Sequence, residues 1–112
     1  MFRNYLTYQF AVGFDRDCSI LDLPTGPKVD LKRCSQCMVT HLHRALASTT
    51  QTDRAKSLFV ALTYLKDCKE ILDGANVRAR GILSRHDVLE ARLARMIETE
   101  AEGERGQLRM LG

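Results

Sequence analysis

Apolar residues along this chain recur at three- and four-residue intervals, and no stretch keeps the apolar–polar alternation of a strand. Leu6, Phe10, Phe14, Cys18 and Leu21 mark a first helix over about residues 4–21. Asp22-Leu23-Pro24-Thr25-Gly26-Pro27 ends it, because two prolines around a glycine do not continue a helix. A second helix, about residues 30–48, places Leu31, Cys34, Met38, His41, Leu42 and Ala45 on one face. The polar run from Ser48 to Thr52 links it to a third, about residues 53–74, with Thr52 as the expected N-cap and Asp53 in the first turn. Leu58, Leu62, Leu65, Cys68 and Leu72 form its stripe, broadened by Phe59 and Ile71. Ala75 to Gly81 reads as a basic connection. Ser84, three residues before Asp87, resembles a capping box and opens a fourth helix over about residues 85–99. Its seam is Val88, Leu89, Arg92, Leu93, Met96 and Ile97, and residues 102–112 read as a frayed tail. The pattern predicts an all-α, up-down-up-down four-helix bundle in one domain, residues 1–101.

Composition narrows the class without naming a role. With 112 residues, 45% hydrophobic and 28% charged, the chain fits a single folded domain. No uncharged run approaches the roughly 20 apolar residues of a membrane span. Tyr5 to Phe14 lies behind Arg3 like a short signal core, but Thr7 and Gln9 interrupt it and no small-x-small cleavage site follows. The expected location is the cytoplasm, with no membrane contact. There the four cysteines, Cys18, Cys34, Cys37 and Cys68, are expected to be free thiols in helical seams.

Charge is uneven. Residues 28–95 carry 13 basic and seven acidic groups, and Arg outnumbers Lys twelve to five over the chain. Arg favours bidentate contacts to phosphate, so the bias leans toward an anionic partner, although a solvated helical surface has the same look. The candidate nucleic-acid-binding residues are Lys32, Arg33 and Arg44 beside the seam of helix two, and Arg54 and Lys56 opening helix three. Arg78, Arg80 and Arg85 at the next link and Arg92 and Arg95 along helix four complete them. The link cluster stands out because no carboxylate precedes Asp87, whereas Lys66 and Lys69 alternate with Asp67 and Glu70.

Catalytic and metal chemistry find little support. Cys34, Cys37 and His41 share one helix face, but zinc asks for four ligands, and His43 lies about 200° round the helix from His41. Cys34-x-x-Cys37 lacks the βαβ setting of a redox pair. Arg80 and His86 fit only loosely the Arg–His spacing of helical-bundle ribonucleases. No phosphate loop, nucleophile triad or carboxylate ladder is present. The expectation is no catalytic site, no metal and no cofactor. Phe2, Tyr5 and Tyr8 fall off the main stripe of helix one, which predicts self-association.

As a whole, residues 29–97 resemble the four-helix-bundle family that includes the accessory variability proteins of diversity-generating retroelements, with the proteins of 23S rRNA intervening sequences as cousins. The resemblance rests on Leu23-Pro24 before a basic run, His41-Leu42-His43-Arg44-Ala45-Leu46-Ala47, the polar link with Asp53-Arg54, and Leu58-Phe59-Val60-Ala61-Leu62-Thr63-Tyr64-Leu65. Gly81-Ile82-Leu83-Ser84 is similar to the family's entry to its last helix. The Asn-Ile-Ala-Glu-Gly-like segment of the rRNA branch is missing after helix two, which favours the retroelement branch. The resemblance implies a non-enzymatic scaffold that forms ring-like homopentamers and binds a reverse transcriptase and template RNA or cDNA. A bundle that engages only a protein partner is the alternative.

Overall fold

In the computed structural model, which describes the backbone of residues 2–111 and the side chains of residues 4–101, four helices follow one another. They are α1 (Phe2–Ile20), α2 (Thr25–Ala47), α3 (Gln51–Gly74) and α4 (Arg80–Leu111). Packing runs round the bundle, α1 on α2, α2 on α3, α3 on α4 and α4 back on α1. The described residues contain no strand. The all-α four-helix bundle expected from the pattern is the fold. Among the described residues no helix is long and apolar enough to cross a membrane.

The helix boundaries show where local chemistry departs from expectation. α2 begins at Thr25, not near Asp30, with Pro24 as its extended N-cap residue and the Lys28 amide donating to the Pro24 carbonyl at 2.9 Å. Pro27 sits inside the first turn, where an amide has no intrahelical acceptor and a missing N–H costs nothing. Thr50, not Thr52, caps α3: its hydroxyl accepts from the Asp53 amide at 3.2 Å. α3 does close at Gly74. Asn76 then takes a left-handed φ of 58°, Asn76 N–H donates to Asp73 O at 3.1 Å and Val77 N–H to Leu72 O at 2.9 Å. That is the paired helix-ending motif in which Asn replaces the usual glycine.

α4 starts at Arg80, so Ser84 lies within the helix rather than at its cap, and the Leu83 amide already reaches the Ala79 carbonyl. Its backbone also continues to Leu111 through the segment expected to be a frayed tail. Good helix formers such as Glu, Arg, Gln, Leu and Met outweigh Gly103 and Gly106 there.

Inside, Phe14, Leu31, Met38, Leu42, Leu58, Leu65, Leu72, Leu89 and Leu93 are fully buried. The α1 stripe differs from the expected one. Thr7, Ala11, Phe14 and Cys18 face the core, while Leu6 and Phe10 are 38% and 37% exposed. Three successive steps of four residues drift about 120° round a helix, so Leu6, Phe10, Phe14 and Cys18 do not hold one face. Steps of four, three and four do. Phe59, 63% exposed, and Val88, 43% exposed, also fall outside the seams assigned to them, and Ala61 and His86 take the inward positions.

Candidate nucleic-acid interface

The basic residues divide between the two ends of the bundle instead of forming one belt. Ser35 of α2 meets Asp15 of α1, and Arg85 of α4 meets Asp17 of α1. Lys32, Arg33, Arg78, Arg80 and Arg85 therefore belong to the end where α1 and α3 finish and α2 and α4 begin. Arg92 of α4 reaches Thr7 of α1, and Arg54 of α3 reaches Ser48 and Glu100. Arg44, Arg54, Lys56, Arg92 and Arg95 thus belong to the opposite end. Arg80 and Arg95 are separated by about 22 Å of helical rise.

At the first end, Arg78 and Arg80 are exposed at the α3–α4 link. Arg85 is exposed too, but its guanidinium is ion-paired with Asp17. The link is therefore less free of carboxylate than its sequence neighbourhood suggests, because α1 brings one in from 68 residues away. Lys32 and Arg33 are exposed as expected.

The other end holds an open cavity of about 490 Å³, with Ala45, Leu46, Leu58 and Met96 on its apolar wall. Arg54, Arg92 and Arg95 border it. Arg54 Nε donates to Glu100 Oε1 at 3.1 Å and Nη1 donates to the Ser48 carbonyl at 3.2 Å, tying α2, α3 and α4 together. Arg92 donates to Thr7 Oγ1 at 3.4 Å and lies over the Phe10 ring, 5.0 Å from its centroid. Both guanidiniums thus serve the fold as well as the cavity. Arg95 is exposed at its rim, and Arg44 and Lys56 are exposed nearby on α2 and α3.

The set Cys34, Cys37 and His41 does not converge. Cys34 is buried, Cys37 is half-buried, and His41 stacks on Tyr64 with ring centroids 5.6 Å apart. All four cysteines are free. Burial, with the carboxylates of Asp15 and Asp17 adding to it, pushes the Cys18 thiol up to about 12. Burial likewise raises Cys34 and Cys68, so none of the three offers a ready thiolate. Arg80 and His86 are not brought together either: Arg80 is exposed, whereas His86 is 1% exposed and faces the core.

Of the aromatic residues expected off the stripe of α1, Tyr5 is 58% exposed. Tyr8 is half-buried and tilted against His43 at 5.9 Å. Phe2 has its side chain outside the described residues. Leu6 and Phe10 extend the exposed apolar face instead. One grouping escapes a reading by apolar period altogether, His86 with Asp87 and Glu90 on α4. Its signal is the His–Glu spacing of one helical turn. Compared with protein-family models, with curated proteins and with solved structures, the chain has no match.

Proposed function

We propose that this protein is a non-enzymatic, cytoplasmic accessory subunit of a diversity-generating retroelement, binding its reverse transcriptase and nucleic acid to support mutagenic reverse transcription. The reading rests on the family resemblance of residues 29–97 and on the four-helix bundle that this resemblance implies. The observation that carries the nucleic-acid part is the link from Gly74 to His86, which holds Arg78, Arg80 and Arg85 and no acidic residue. Arg78 and Arg80 are exposed there. Guanidiniums so placed offer phosphate contacts that are sequence-tolerant and strongly salt-dependent. The reading includes a homo-oligomer, a pentamer by resemblance, which the exposed Tyr5, Leu6 and Phe10 on α1 favour.

Fluorescence anisotropy with a labelled single-stranded RNA, at several salt concentrations, tests this function. Binding that weakens steeply with salt supports it. Co-purification with a reverse transcriptase encoded beside its gene, next to template and variable repeats, supports the retroelement assignment. Absence of RNA and DNA binding, with a protein partner retained, points instead to a protein-interaction module. Light scattering reads the oligomer, and a monomeric mass at micromolar concentration removes that part of the proposal.

A further inference from the structure

Among the described side chains of α4, His86 is the most deeply buried titratable group, at 1% exposure, and the surroundings fix its ring. Nε2 lies 3.0 Å from the carbonyl oxygen of Leu65 on α3, and Phe14 of α1 is tilted against the imidazole at 5.9 Å. A carbonyl only accepts, so Nε2 carries the proton and donates it. In the neutral ring Nδ1 then presents a lone pair. It faces Asp87 Oδ1 at 3.2 Å and Glu90 Oε2 at 3.8 Å, and these oxygens are acceptors as well. Three potential ligand atoms thus converge on one small space. Among the described residues, neither carboxylate has a Lys or Arg ion-pair partner, since the neighbouring Arg85 turns to Asp17.

We propose that His86, Asp87 and Glu90 bind one divalent transition-metal ion of the zinc class. Their three ligand atoms lie within 4.8 Å of one another. Zinc, at about 2.0–2.2 Å from nitrogen and oxygen ligands, needs tetrahedral ligand–ligand edges of about 3.4 Å. The observed 3.2 and 3.8 Å bracket that value. His86 and Glu90 are one turn apart on α4, and donation of the far ring N–H to a backbone carbonyl is the arrangement that orients metal-binding histidines. Asp87 is 71% and Glu90 39% exposed, which leaves an entry path and room for water as the fourth ligand. A proton on Nδ1 answers one carboxylate; a divalent ion answers all three groups. The site is independent of the nucleic-acid reading.

The test uses the full chain without a His-tag, carrying Cys37→Ser so that the most accessible thiol does not compete. Zinc(II) is titrated by calorimetry and by long-range proton–nitrogen NMR of the histidine rings. The expected result is one zinc per chain, with the His86 Nδ1 resonance displaced and the Nε2 proton retained. Asp87→Asn and Glu90→Gln, both at solvent-facing positions, should each weaken binding by about tenfold or more while circular dichroism stays unchanged. No binding at excess zinc overturns the proposal. So does zinc binding that leaves His86 Nδ1 unmoved or that neither variant weakens, and so does an Nδ1 that keeps its own proton when zinc is in excess.

Discussion

Arg85, in the second turn of α4, is ion-paired with Asp17 in the last turn of α1. The pair joins the two helices that close the bundle, and it removes part of the positive field of the α3–α4 link. Asp17 is the less exposed partner, at 25%. Arg78 and Arg80 have no such partner among the described residues, so the remaining positive field of the link is theirs.

Arg78→Gln with Arg80→Gln should therefore weaken RNA binding more than Arg85→Gln does. If both arginines contact phosphate, the slope of log affinity against log salt should flatten by about 1.4, two single-strand contacts. Lys66→Gln with Lys69→Gln is the control, since Lys69 is already 3.5 Å from Asp73. Anisotropy titrations across a salt series read all three, and an unchanged slope in the Arg78/Arg80 double variant would return the link to a solvated surface.

Core placement separates two phenylalanines that the sequence period treats alike. Phe14 is fully buried, whereas Phe10 is 37% exposed beneath Arg92. Phe14→Ala should cost about 3–5 kcal/mol in urea unfolding. Phe10→Ala should cost about 1 kcal/mol, mainly the cation–π contact and its partial burial. Equal losses would contradict the register of α1.

Buried thiols make stability fall in alkali. The unfolded Cys18 ionises around its ordinary value of 9.0, while the folded thiol holds its proton up to about 12. Between those values the folded state binds more protons, so rising pH favours unfolding, and the stabilising contribution is complete only below about 9. Cys18→Ala should lose less stability between pH 9 and about pH 11 than the parent chain does. In the native protein a disulfide-exchange reagent should label Cys37 first, with Cys18, Cys34 and Cys68 reacting only on unfolding.

Asn76 holds the turn after α3 with φ at 58°. Asn76→Ala should destabilise by about 1 kcal/mol, because alanine enters the left-handed region less readily than asparagine does. Asn76→Gly should be tolerated. Thermal melts of the two variants distinguish this backbone effect from loss of a side-chain contact, which would lower both.

Helical period alone determined that there are four helices and which leucines of α2, α3 and α4 turn inward. Those features depend on short-range spacing and on repeated apolar faces, which are local properties of a chain. Tertiary structure decided what spacing leaves degenerate. Phe10 and Phe14 are equally apolar, and only the packing of α1 against α2 and α4 selects Phe14 for the interior. Pro27 looks like a breaker until Pro24 is seen to cap the same helix. Arg85 looks unpaired until α1 delivers Asp17 across the bundle. His86 looks like a surface residue next to acids until the Leu65 carbonyl draws it inward. Except for Pro24, three residues from Pro27, the deciding partner is far away in sequence, and a charge or hydrogen bond across helices has no periodic signature by which the chain alone could announce it.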